Sequence, residues 1–264
     1  MSDPNSINSL NKRVQSVRRI NGIFGLISFS TILPLNIHTS IEEMAEFTWI
    51  WPLIGGFIGI LVGTLGFLLV DILHLYSFVS AALVYSFSIW FTGFHHLDGL
   101  VDFGDGMMVH GSPEKKIDVM RDKRIGTGGI AYLLMVGLIT FSAIGSAPPA
   151  FIFYILLVSE MAAKMGIVTC ATFSEPFPDG TGRYFIEAMN KKILLISFII
   201  TSAIGFLAFN TTGIIGIIVG LLSGALIAWV SKKNFKWATG DVLGTSNEIA
   251  KMLALVIMVV MFSL

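Results

Sequence analysis

Apolar runs long enough to cross a bilayer recur from one end of the chain to the other, and nothing constrains its fold more. A membrane helix needs roughly 20 mainly apolar residues, and about seven stretches approach that: Trp49–Val70, Leu75–Phe94, Gly129–Gly145, Ala150–Thr172, Ile193–Phe209, Gly213–Val230 and Ile249–Leu264. Inside lipid each backbone N–H and C=O must be paired within its own segment, so such runs are read as helices. Composition agrees. Of 264 residues 54% are hydrophobic and only 13% charged, whereas a soluble domain is about a quarter charged. The expected fold is all-α, a polytopic integral membrane helical bundle of about seven transmembrane helices with the lipid bilayer as its surroundings.

Charge sets the expected orientation, because Lys and Arg gather in cytoplasmic loops. Lys12, Arg13, Arg18 and Arg19 precede residue 22, and further basic residues lie in 96–128, 173–192 and 231–248, while the loops near 71–74, 146–149 and 210–212 carry none. One side can hold all of these only if the segment Ile20–Ile37, rich in Gly, Ser and Thr, is re-entrant or interfacial rather than spanning. No convincing cleavage site follows it, so it is read as retained. The chain is read as a single domain, residues 1–264, in a cell (plasma) membrane with its site on the cytoplasmic side. Zero formal net charge argues against nucleic acid. Cys170 is read as a buried, inert thiol. A homo-oligomer is left open.

The polar residues that remain are not scattered. His95 and His96 lead into Asp98, Asp102 and Asp105, spaced i, i+4, i+7, which on a helix places three carboxylates on one face. Like charges so packed repel unless a cation or protons neutralise them. Mg²⁺ pairs a few carboxylates with substrate phosphates, so magnesium with a phosphorylated substrate is the natural reading. The interleaved Gly99, Gly104 and Gly106 point to close backbone approach, to a ligand or to a neighbouring helix. His96 is placed to hydrogen-bond a phosphate, orient a carboxylate or act as general base.

A second cluster runs from Met120 to Gly129. Asp122 is a candidate fourth metal ligand. Arg121, Lys123 and Arg124 are candidate phosphate contacts, with Arg124 preferred for its bidentate fork; topology anchoring is the rival reading for Lys123. The amides from Gly126 onward open a span and suit an anion. Glu160 and Lys164, one turn apart inside a span, are read as a self-neutralising pair or as lining the site. Thr239–Gly244 reads as a polar turn before the last span and brings Asp241. Pro176–Arg183 reads as a flexible substrate lid ending on Arg183.

The stretch His96–Gly106, His-Leu-Asp-Gly-Leu-x-Asp-x-x-Asp-Gly, resembles the signature of the cobalamin synthase family, the adenosylcobinamide-GDP ribazoletransferases. Met120–Gly129, Thr239–Gly244 and the Pro52–Gly55 stretch are similar to further family motifs in the same order. Ser30–Pro34 lacks the arginine usual near the family's start, and Lys123 stands where a hydroxyl residue is usual. The resemblance implies a Mg²⁺-dependent membrane transferase that joins adenosylcobinamide-GDP to α-ribazole or its 5′-phosphate. GMP leaves, and adenosylcobalamin or its 5′-phosphate forms. Asp98, Asp102, Asp105 and Asp122 are then the candidates for metal ligands or base.

Two other classes compete. A CDP-alcohol phosphotransferase also uses an Asp-Gly metal motif, but Val101-Asp102 stands where its Ala-Arg would be. A transporter would carry its acids near the bilayer midplane, whereas these lie near span ends.

Overall fold

The structure, a computed structural model, describes residues 19–262, so Lys12, Arg13 and Arg18 lie outside the described residues. Those residues form helices without a named strand. They are α1 (residues 19–30), α2 (Ile41–Ala45), α3 (Trp51–Phe67), α4 (Ser77–Phe91), α5 (His95–Met108), α6 (Pro113–Met120), α7 (Thr127–Gly145), α8 (Ile152–Phe173), α9 (Gly182–Glu187), α10 (Lys191–Phe235) and α11 (Gly240–Val260). α8 is the central helix. It packs against α3, α10 and α11 and is buried continuously from Val158 to Ala171. The outer surface is apolar, with Leu134, Leu138, Leu195, Leu207, Leu222 and Trp229 all exposed. A bundle that turns leucine outward from a packed interior is built for lipid.

Length and apolarity single out five helices able to cross a membrane, or six if the bent pair α4 and α5 counts as one span; the expected count of seven is not reached. Two local features account for the difference. α4 has only 15 residues, and the chain turns by 91° into α5 instead of continuing upward. α10 is 45 residues long but breaks at Phe209 and Asn210, where Asn210 takes φ 50°; asparagine is one of the few residues that tolerate such a φ. The halves on either side of the break coincide with the expected runs 193–209 and 213–230.

The two ends of the bundle differ. At one end, stacked rings bring Phe151, Phe209 and Phe262 together. At the other, Lys116 approaches Asn234 Oδ1 at 3.4 Å, Lys232 approaches Glu175 at 3.7 Å, and Arg121 pairs with Asp179 at 2.7 Å. The basic loops therefore share one end, as the charge pattern predicts.

The described part of α1, residues 19–30, is shorter than a span and packs against neighbouring elements. The backbone N–H of Ile32 donates to Phe91 at 2.9 Å, and Trp51 Nε1 donates to Ser30 at 2.7 Å. The chain from residue 31 then returns so that α2 lies beside α1, its start fixed by a Ser40–Glu43 capping box.

The last helix starts earlier than its apolar run suggests. Thr239–Gly244 is not a turn: Thr239 accepts from the Asp241 N–H at 3.2 Å and caps α11. Thr245 and Ser246 then pay their hydrogen bonds within reach, to Gly99, Asp241 and Leu243 carbonyls, so polar residues enter the bundle without unpaired hydroxyls.

Candidate active site

α5 lies across the basic end of the bundle, over the starts of α7 and α11. Glycine permits this. A side chain at Gly99 would meet the Asp241 backbone at 2.9 Å, so only glycine lets α5 rest directly on α11. The signature's glycines thus serve helix contacts, one of the two uses foreseen for them. Asp98, Asp102 and Asp105 share a face with Asp241 beside it. The half-buried Asp102 carboxyl is pushed up to about 7, by burial first and then by Asp241, Asp98 and Asp105. Burial, reinforced by three neighbouring carboxylates, thus raises the affinity of Asp102 for a proton.

Asp105 is the exception within this group. It accepts from Gly126 N–H at 2.7 Å and from Gly129 N–H at 2.8 Å, so both of its oxygens are engaged. The start of α7 is indeed an anion site, and the anion is the chain's own aspartate. A side chain at Gly126 would collide with that carboxylate, 2.5 Å from Oδ1. Gly126 is therefore used to seat Asp105, not left open toward the cleft.

A cleft of about 250 Å³ opens beside the acids. Asp98, Asp241, His95 and His96 line one wall, and Phe29, Trp51 and Phe185 form another. The rings touch in sequence: Trp51 and Phe185 lie 4.9 Å apart, and Phe185 and Phe29 5.3 Å. Thr181 and Gly182 close the top.

The other expected residues are placed differently. Asp122 folds onto Arg124 at 2.7 Å, and that hydrogen-bonded guanidinium holds its carboxyl below the ordinary range. Arg124 is 89% exposed and Lys123 is exposed. Arg121, the less favoured arginine, is the one whose charge acts on Asp241. It also lies over the Phe177 ring at 5.5 Å. Arg183 pairs with Glu187 at 2.7 Å and donates to the Pro178 carbonyl at 3.3 Å. The 176–183 loop, expected to be flexible, is tied by Arg121–Asp179 and by a bridge between Pro176 and Ala238.

Behind the cleft lies a buried charge network that the apolar runs disguise. Glu160 does not turn to Lys164. It pairs with Lys251 at 3.1 Å and accepts from Ser88 at 2.7 Å, while Lys251 also faces Glu248 at 3.7 Å. Lys164 donates to Asn247 at 2.7 Å and lies 3.3 Å from His96 Nε2. Lys251 and Asn247 escaped notice in the sequence; a lysine inside the last apolar run was the available signal. Cys170 is free and buried, as expected.

Among the described residues no group of three or more His, Cys, Asp or Glu side chains stands close enough to hold a metal ion. Asp98 and Asp241 line the cleft together, and two carboxylates are a donor set that an ion would have to complete with substrate oxygens.

A family model described as cobalamin-5-phosphate synthase matches residues 22–259. The chain belongs to that family. It is similar to proteins named adenosylcobinamide-GDP ribazoletransferase: 32% identical to that of Methanococcoides burtonii, covering 88% of this chain and 89% of the relative. The Methanosarcina barkeri protein is 32% identical, over 89% and 90%. The Pyrococcus furiosus protein is 29% identical, over 88% and 97%. No solved structure matches. Family membership accounts for the polar end of the bundle and sets aside the CDP-alcohol and transporter readings.

Proposed function

We propose that this transferase performs the assembly step named for its relatives, joining adenosylcobinamide-GDP to α-ribazole or its 5′-phosphate. A ribose hydroxyl attacks the phosphorus attached to cobinamide. The new O–P bond forms as the bond to the GMP phosphate breaks, GMP leaves, and the hydroxyl proton passes to a carboxylate. The observation that carries this reading is the pair Asp98 and Asp241 on one cleft wall, with Asp102 near enough to be acted on by both, in a chain of this family.

Such chemistry asks for positioning and charge neutralisation more than for a nucleophile of the protein's own. Mg²⁺ held by Asp98 and Asp241 together with substrate phosphates would supply the neutralising charge. The carboxylates of this group would provide metal ligands and base between them. Asp105 supports them from behind, clamped to α7. Arg121 is the phosphate contact best placed, ahead of Arg124 and Lys123. The aromatic wall suits a flat base. Basic loops at the same end support a cleft that faces the cytoplasm from the plasma membrane.

The test uses purified protein in lipid with adenosylcobinamide-GDP, α-ribazole and Mg²⁺, following GMP and corrinoid product. Product that disappears with EDTA and in Asp98→Asn supports the reading. A folded protein that binds Mg²⁺ and makes no product would sink the substrate assignment.

A further inference from the structure

The cleft has two unlike walls, and the one without acids is the more selective in what it can hold. Phe29 from α1, Trp51 from the start of α3 and Phe185 from α9 form it, with His95 beside Phe29. Phe29 is 38% exposed and His95 is exposed too; their rings lie 8° from parallel with centroids 6.3 Å apart. Trp51 and Phe185 are only 3% and 2% exposed. Phe185 touches both Phe29 and Trp51, so the exposed ring is backed by two that close packing holds still.

The phenyl and indole rings of this wall offer a ligand no hydrogen bond. Trp51 Nε1 donates to Ser30 Oγ at 2.7 Å, and that hydroxyl donates on to the Leu26 carbonyl at 2.7 Å. Ile167 and Leu243 extend the apolar lining, and neither lysine nor arginine lines the cleft. A guanine laid here would bury its carbonyl, amide and amine against rings that cannot pair them, which is costly. A diphosphate would find no cation on this wall. A corrin macrocycle is too large, since the cleft's 250 Å³ falls below the roughly 300–1,000 Å³ of pockets for drug-sized ligands. What the wall does fit is a flat, uncharged, mainly apolar bicyclic base.

We propose that Phe29, with Trp51 and Phe185 behind it and His95 beside it, forms the subsite for the benzimidazole base of α-ribazole, and that this wall selects an apolar base over a purine. The assignment rests on the transfer proposed above. Stacking accepts any base, because every base has a π-face; selection comes from the missing polar partners. Asp98 and Asp241 line the same cleft, so a base seated on Phe29 keeps its ribose hydroxyl in one cavity with the acids. The subsite also gives α1 a task, carrying Phe29 to the cleft.

The test is calorimetric titration of the full-length protein, in lipid nanodiscs with Mg²⁺, by α-ribazole and separately by guanosine. α-Ribazole binds and guanosine binds more weakly. Phe29→Ala weakens α-ribazole about 10-fold, within the range of base–aromatic stacks, and Phe29→Trp restores it. Phe29 is exposed enough for both variants to fold, which an unchanged melting temperature verifies. In the activity assay Phe29→Ala raises KM for α-ribazole by about the same factor while KM for adenosylcobinamide-GDP holds. Phe29→Asn, which adds an amide to the wall, narrows the preference for α-ribazole over the α-riboside of adenine; a merely structural role would leave that preference alone. No binding of α-ribazole, guanosine bound as tightly, or an α-ribazole affinity unmoved in Phe29→Ala overturns the subsite. So does a rise in KM for adenosylcobinamide-GDP alone. Phe29-dependent binding of α-ribazole by a protein that makes no corrinoid product leaves the subsite standing and removes the transfer. Product formed with an unmoved KM for α-ribazole removes the subsite and leaves the transfer.

Discussion

Two groups of charged residues lie within one bundle and obey opposite rules. In the interior, Glu160, Glu248, Lys164 and Lys251 mix signs; Lys251 lies at ion-pair distance from both glutamates and Lys164 donates to Asn247, while one oxygen of each glutamate has no partner. At the cleft, Asp98 and Asp241 carry one sign, and with burial they raise the affinity of nearby Asp102 for a proton. The first group supplies its own counter-charge and ties helices together. The second is incomplete and asks for a cation from outside. Residue type alone does not separate a structural charge from a functional one; what separates them is whether the protein supplies the counter-charge.

Lys251→Met strikes the balanced group hardest. It leaves Glu160 and Glu248 facing each other without their ammonium, and loss of one partner from a buried pair costs about 3–5 kcal/mol. Thermal unfolding in detergent reads this, and adding Glu160→Gln should recover part of the loss. A melting point that does not move would break the comparison, since the network would then carry no structural weight.

Asp98→Asn tests the other side. It removes a charge that nothing in the protein needs, so the melting temperature should hold while turnover falls by about 100-fold or more, the scale of several kcal/mol of metal-assisted charge stabilisation. Unchanged turnover would move the site away from this cleft.

Asp105→Ala falls between the groups, because this acid is paired, though with amides. Cutting its hydrogen bonds should cost about 1.5–3 kcal/mol and speed hydrogen exchange at the Gly126 and Gly129 amides. Exchange that stays slow would show that α7 does not depend on this anchor. The smallest effect is expected at Arg124→Ala, where an exposed pair contributes little; stability should hold and turnover stay within about twofold. Arg121→Ala should raise KM more than Arg124→Ala does, and the opposite result would restore Arg124 as the phosphate contact.

Much of the architecture was legible because lipid imposes length and apolarity on every span, and because basic residues mark the loops of one side. The acid motif was legible too, since i, i+4, i+7 spacing forces side chains onto a common helix face. What escaped was pairing. Nothing in the spacing of Asp105 shows that its oxygens meet the amides of Gly126 and Gly129. Nothing in the i, i+4 spacing of Glu160 and Lys164 shows that each prefers a partner on another helix. Arg121 and Arg124 are neighbours in sequence, yet one faces the acids and the other faces solvent with Asp122. The start of α11 was missed because its first turns are polar, and their hydroxyls are satisfied by carbonyls that only the fold brings near.

The bridge between Pro176 and Ala238 carries a last consequence. Phe177 N–H donates to Ala238, and Ala238 N–H donates to Glu175, at 2.9 and 2.8 Å. The start of the loop that runs on to Thr181 and Gly182 at the cleft is thereby stitched to the residue just ahead of Thr239 and Asp241. A displacement of that loop's base and of the head of α11 is therefore shared unless two backbone links are unfastened.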